Sequence, residues 1–467
     1  MKNNVEQSIR NFFVFNRKRI FWFLFILSIT TSTASIAHLT YRTSKSDNPI
    51  AQHYPAPIQS DAWEYATIAK NLVNRGEFTL NTEPPYEKDT FRTPGYIFFV
   101  AVFYKIFGSF YPVLFAQAVI SFLTCLIIFE IGKKMVGWKI GLAVSVLYIV
   151  DPNTMVGTSY LFSENLFMLF FLSCMWVLLF SEIKNISRRW AVAGLLFGIA
   201  ALIRPIILYL PVVLFPSYLM FEWVQKKVDL KQILKSFAIF LLAFFAVISP
   251  WYIRNYQVSG VWGMSSNGTY TLFRENLPRF LSTITPGNPN FKKILMDRAG
   301  LTQEVVPRGL EYSEQMGRVV KEIIFEHPVR YGIYHVSSLA SFFLNSGVHH
   351  YMKVSRDMVD STPLPPEPGF AQAVTNHSIP LLIVVLKNHG FELIENFYWL
   401  AIFILCALSS KFSKDPARMR FFISIIIYFA LITGPISHAR YRIPATPFLL
   451  LGAAMSVQYF VEKRIKR

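Results

Sequence analysis

A chain of 467 residues that is 53% hydrophobic and only 16% charged, with 44 phenylalanines, has too little polar surface for a soluble domain and the balance of a polytopic membrane protein. Its formal net charge of +18 would suit nucleic acid, but the basic residues fall in short clusters between apolar runs, as in loops facing anionic lipid head groups. Cys125, Cys174 and Cys406 sit inside apolar runs and read as small core residues, so neither a disulfide framework nor thiol chemistry is expected.

The first span, Ile20 to about Thr40, follows Arg17-Lys18-Arg19 and reads as a retained signal anchor. An external segment at about 41–111 comes next and holds two helices. Ser60 caps one whose inward face is Tyr65, Ile68, Ala69 and Leu72, at helical spacing. Pro94 starts a very apolar second helix, Gly95 to Phe107, closed by Gly108 and lying along the membrane surface. Apolar runs follow at roughly 112–131, 140–157, 161–180, 191–203, 205–222 and 236–253. A mixed polar segment at about 254–330 forms a partly helical external cap, and further runs lie at 392–410, 421–437 and 443–461. Weaker runs at 331–348 and 376–388 together supply either no crossing or two.

This pattern predicts an all-α polytopic membrane protein with about 10–12 transmembrane helices and extracytoplasmic juxtamembrane helices. All of 1–467 forms one domain, without repeats or an appended soluble unit. Basic clusters at the N-terminus, Lys133–Lys139, Lys184–Arg189, Lys226–Lys235, Lys411–Arg420 and Lys463–Arg467 can all be placed inside. Both termini are then cytoplasmic, and segments 41–111 and 254–330 lie outside.

Several residues have chemistry to offer. Asp61 suits a general base that deprotonates an acceptor hydroxyl or amine during sugar transfer; it equally suits the first turn of a helix, where the dipole favours an anion. Glu64, one turn on, faces either the same site or solvent. The run Ala191–Ile203 covers only about 20 Å of a ~30 Å hydrocarbon core, which leaves Arg204 at membrane depth. There it grips a phosphate or pairs with an intramembrane acid such as Glu164. Arg254, in Pro250-Trp251-Tyr252-Ile253-Arg254-Asn255, grips a phosphate or anchors a helix end at the interface. Arg440 and Arg442 crowd the last external loop, His438 to Pro444. No cofactor is demanded. Asp61, Asp151 and Glu164 would offer oxygen ligands to a divalent metal, without a spacing signature to support one.

A series of motifs in order resembles the GT-C superfamily of integral-membrane glycosyltransferases, and within it the branch of protein O-mannosyltransferases and the lipid A aminoarabinose transferase. The series is Asp61 with Tyr65, Ile68, Ala69 and Leu72; Arg92-Thr93-Pro94-Gly95-Tyr96 running to Phe107-Gly108; and Ser163-Glu164-Asn165-Leu166-Phe167. Gly194 and Gly198 then lead to Leu202-Ile203-Arg204-Pro205, followed by Pro250-Trp251 with Ile253-Arg254-Asn255, and Arg440-Tyr441-Arg442-Ile443-Pro444 closes it. The resemblance spans about 60–450. It implies a polyprenyl-phosphate-linked sugar as donor and transfer on the extracytoplasmic side. It also implies an aspartate base, which maps onto Asp61, and donor-phosphate arginines, which map onto Arg92, Arg204 and Arg254. Glu64, Tyr65, Arg440 and Arg442 stand around them as candidate substrate-binding residues.

Two departures weaken a protein acceptor: Ala62 follows Asp61 where protein mannosyltransferases carry an Asp-Glu pair, and the soluble domains of some relatives are missing. The expected partners are the lipid-linked sugar, membrane lipids and a glycolipid, glycan or protein acceptor, with no nucleic acid. The expected location is a bacterial inner or cytoplasmic membrane. An O-antigen-type polymerase or ligase would use the later 254–330 loop and leave Asp61 and Arg92 unexplained. A lipid-linked glycan flippase would show internal symmetry, which the chain lacks.

Overall fold

A computed structural model describes residues 2–45, 61–224, 229–287, 290–302, 305–357, 379–436 and 439–465. The described residues form helices and turns, with no strand among them. The first helix, α1 (Lys2–Ser44), has 43 residues and at about 64 Å is longer than any bilayer core. Next, α2 (Asp61–Arg75) turns Tyr65, Ile68 and Ala69 inward and half-buries Leu72, as the spacing predicts. Ser60, its expected cap, lies outside the described residues, as does His438.

α3 (Pro94–Phe107) begins on Pro94 and ends at Gly108, whose φ of 63° is the left-handed conformation that closes a helix. Its Tyr96, Ile97, Val100 and Ala101 are buried, while Phe98, Val102, Ile106 and Phe107 form an exposed apolar stripe. Such a stripe suits contact with lipid.

α4 (Tyr111–Met135) is a long apolar helix ending on Lys133 and Lys134. The run at 140–157 was expected to be one helix but is two, α5 (Trp138–Ile149) and α6 (Pro152–Ser159), bent by 59°. Pro152 has no N–H to continue α5, and the extended Asp151 caps α6 through the Thr154 N–H at 3.1 Å. α7 (Glu164–Phe180) and α8 (Ile186–Ile203) follow. α8 stops where Arg204 is extended ahead of Pro205, because the proline ring disfavours helical backbone at the residue before it. α9 (Leu210–Val224) and α10 (Leu230–Ser259) complete the first bundle. α8 lies close against α10 because Gly194 and Gly198 have no side chains: a Cβ on Gly194 would stand 2.4 Å from the Phe240 carbonyl oxygen, and one on Gly198 2.7 Å from Val247 Cβ.

The cap is built from α11 (Asn267–Thr271), α12 (Leu277–Ile284), α13 (Phe291–Ala299) and α14 (Ser313–Glu326). It has its own core of Phe273, Leu277, Phe280, Met316 and Val319, into which Phe91 of the first external segment is inserted. α15 (Pro328–Leu344) and α16 (Gly347–Asp357) lead out of the cap, and α17 (Ile379–Ser409), α18 (Pro416–Thr433) and α19 (Thr446–Ile465) close the chain. The runs 376–388 and 392–410 are not separate helices: from Ile379 they form the single 31-residue α17, since no proline divides them. Residues 376–378 lie outside the described ones.

Among the described residues, six helices are long and apolar enough to cross a membrane, or seven if the bent α5–α6 pair is one span. Two of the remaining apolar runs yield shorter helices, the 17 residues of α7 and the 15 of α9. Hydropathy marks where apolar residues are; Pro205 ends α8 and is followed by a short turn, so that α9 starts only at Leu210 and falls below the ~20 residues of a full crossing.

Candidate active site

Asp61 and Glu64 sit one turn apart in the first turn of α2. Arg92 is brought to them by a loop fixed through its backbone. Asp89 Oδ1 accepts the N–H groups of Phe91 and Arg92 at 3.0 and 2.8 Å, and the Asp89 N–H donates to the Phe78 carbonyl at 2.8 Å. The Thr93 hydroxyl then donates to the Ile203 carbonyl at 3.0 Å, tying the start of α3 to the end of α8. So placed, Arg92 donates from Nη2 to Asp61 Oδ1 and from Nε to Glu64 Oε2, both at 2.6 Å. The Tyr65 ring lies 5.0 Å from its guanidinium.

Three further arginines extend this arrangement. Arg440, in the short turn Ala439–Arg442, donates from Nη1 to Asp61 Oδ2 at 2.9 Å and from Nε to Glu164 Oε1, with its guanidinium 3.9 Å from the Phe162 ring centre. Arg204 donates from Nη1 to the same Glu164 oxygen at 2.5 Å and to Ser163 Oγ at 3.1 Å. Arg308, from the cap, donates from Nη2 to Glu64 Oε2 at 2.7 Å and stacks on Phe91 at 3.8 Å. The loop that carries Arg308 is held by the Leu310 N–H donating to Thr90 Oγ1 at 2.9 Å. The result is a continuous alternation of Arg308, Glu64, Arg92, Asp61, Arg440, Glu164 and Arg204.

Within it Asp61 is the most open carboxylate, its side chain 29% exposed against 14% for Glu64 and 3% for Glu164. Burial opposes the charge on Asp61, but Arg92 and Arg440 together outweigh that penalty and hold its carboxyl well below the usual carboxylate range. A base so paired is weak until a guanidinium is drawn away.

The other candidates are placed elsewhere. Arg254 donates to the Asp89 carbonyl at 2.6 Å and lies over the Trp251 and Phe78 rings, so it braces the loop that presents Arg92 and makes no contact with the acids. Arg442 is fully buried. Its guanidinium donates to the carbonyls of Phe342, Phe343 and Asn345, capping the end of α15, and covers the Trp399 ring. Asp151 is the α6 cap. Among the described residues no three His, Cys, Asp or Glu side chains converge on one point. Since guanidiniums already hold Asp61 and Glu164, this donor set does not fit a divalent cation. Arg308 was missed by sequence reasoning, because nothing local in the cap segment links it to Glu64, 244 positions away.

Residues 91–253 match the family described as dolichyl-phosphate-mannose-protein mannosyltransferase. The match takes in Arg92, Glu164 and Arg204 and leaves Asp61, Arg308 and Arg440 outside it. Among solved structures it is similar to the archaeal oligosaccharyltransferase AglB from Archaeoglobus fulgidus, in complex with an inhibitory peptide and a dolichol-phosphate. The identity is 11% and the TM-score 0.44, over 93% of this chain and 50% of that one. It is also similar to ArnT from Cupriavidus metallidurans bound to undecaprenyl phosphate, at 12% identity and TM-score 0.38, over 93% of this chain and 78% of that one. For apo ArnT the values are 13% and 0.37, over 92% and 76%. The chain thus spans about half the length of the archaeal protein. No curated protein matches it.

Proposed function

We propose that the protein is a membrane glycosyltransferase that moves a sugar from a polyprenyl-phosphate donor to an extracytoplasmic acceptor: a glycolipid, a glycan or a protein. The observation that carries this reading is the convergence of two guanidiniums, Arg92 and Arg440, on one partly open carboxylate, Asp61. Asp61 takes the proton of the acceptor hydroxyl or amine, and the freed lone pair attacks the anomeric carbon. The bond from that carbon to the lipid phosphate breaks, and its electron pair leaves on the phosphate, where Arg92 and Arg440 meet the developing charge. A single displacement of this kind inverts the anomeric configuration. The planar fork of arginine suits the phosphate, and the exposed stripe of α3 lies on the helix that follows Arg92, where a prenyl tail can run.

Purified protein in detergent is expected to turn over when given a polyprenyl-phosphate sugar and an acceptor, with no nucleotide added. Efficient transfer from a nucleotide sugar without lipid would refute the reading. The site is expected to face out of the cytoplasm of a bacterium-like cell. A single cysteine at the exposed Glu83 or Lys88 should react with an impermeant thiol reagent in intact cells, and one at Lys184 should not. The reverse labelling would place the site on the wrong side for a lipid-linked donor.

A further inference from the structure

The ion pairs around Asp61 are not equivalent. Arg92 gives its Nη2 end to Asp61 and its Nε edge to Glu64. Arg440 gives its Nη1 end to Asp61 and its Nε edge to Glu164. Each guanidinium is therefore tethered by one carboxylate along its inner edge and presents its tip to Asp61. The two oxygens of Asp61 are held by different arginines, at 2.6 and 2.9 Å, so its carboxylate fills a gap between two forks that would keep their positions without it. It is also the least enclosed of the three acids. Two acceptor oxygens on one central atom, facing two guanidinium tips, is also the way a phosphate would sit.

The charge count agrees. The directly paired side chains comprise four guanidiniums and three carboxylates, leaving one positive charge unmatched. A sugar linked to a polyprenyl phosphate is a phosphodiester with one negative charge, so its entry neutralises the set.

The geometry points to an exchange of anions. Asp61 occupies the donor-phosphate position when the donor is absent, and the arriving lipid phosphate takes over the tips of Arg92 and Arg440 and releases Asp61 to act as the base. Glu64 and Glu164 are the positioning residues that keep the two forks aimed. This rests on the proposed glycosyl transfer and adds an order to it. The base is idle until the donor is seated, so an acceptor is not deprotonated at an empty site. Were the cluster only a structural ion-pair network, removing the Asp61 charge would loosen it and phosphate would gain nothing.

The test is direct binding of a sugar-free polyprenyl phosphate to purified protein in detergent, with Asp61→Asn and Asp61→Ser run in parallel so that misfolding of one does not decide the result. Both variants are expected to bind at least ~10-fold more tightly than the unaltered protein, since the phosphate no longer competes with a charge-assisted pair. Glu64→Gln and Glu164→Gln are expected to bind more weakly and, in turnover, to raise the donor KM more than they lower kcat. Equal or weaker binding by both Asp61 variants overturns the exchange while leaving glycosyl transfer standing. Failure of the unaltered protein to bind polyprenyl phosphate overturns both.

Discussion

Asp61→Asn is expected to reduce sugar transfer by about 10²- to 10⁴-fold, the usual cost of losing a general base. The amide has nearly the shape of the carboxylate but cannot take a proton, so the acceptor must be deprotonated by solvent. Folding should survive. The side chain is the most open of the three acids, and its arginine partners keep Glu64 and Glu164 as counter-ions. Thermal unfolding in detergent should therefore change little while turnover collapses. Because Arg92 and Arg440 hold the Asp61 carboxyl well below the usual carboxylate range, its charge persists through ordinary acid conditions, and loss of the free enzyme's activity on mild acidification would have to come from another group. Near-normal turnover by the variant would remove Asp61 from the mechanism.

Arg440→Ala is the second large effect, and it strikes stability as well as rate. Arg440 is the link between Asp61 and Glu164. Glu164 is almost fully buried at the start of α7. Its Oε1 would keep only Arg204, and its Oε2 already has no hydrogen-bond partner. Deleting one partner of a buried ion pair costs roughly 3–5 kcal/mol when the remaining charge is left unpaired, and the retained Arg204 keeps the loss here at or below the lower end of that range. Loss of one preorganised cation near the leaving phosphate costs a further ~10²–10³ in rate. Arg440→Lys should recover only part of this, as a point charge cannot hold two carboxylates with a planar fork. Adding Glu164→Gln to Arg440→Ala takes the counter-ion from Arg204 as well. The double variant should unfold at a lower temperature than Arg440→Ala and remain inactive. If the single variant keeps both stability and turnover, the link between the two acids has no role.

Much of the site could be read locally. Asp61 and Glu64 lie one turn apart, so helical spacing alone puts them on one side of α2. The mismatch between a 13-residue apolar run and the bilayer core pointed to Arg204 and named Glu164 as a partner, and the two stand 2.5 Å apart. Pro94 and Gly108 bound α3 because their backbone preferences act over one or two residues. Arg440 and Arg442 could not be told apart in the same way. In a tight turn with about three residues per revolution, side chains two positions apart leave on different sides. One reaches Asp61 and the other the carbonyls closing α15.

Composition, the lengths of the apolar runs and the placement of basic clusters determined by themselves that this chain is an all-helical membrane protein, since burying apolar surface and satisfying backbone polar groups in lipid leave few alternatives. Only the tertiary structure decided which charges meet. The pair of Arg440 with Asp61 spans 379 positions and that of Arg308 with Glu64 spans 244. No periodicity or local propensity reports on contacts so remote. They exist because helix packing, through Gly95 against α8 and Phe91 in the cap core, carries segments remote in sequence to one place. A charge taken out of water there must find its opposite or be lost to desolvation.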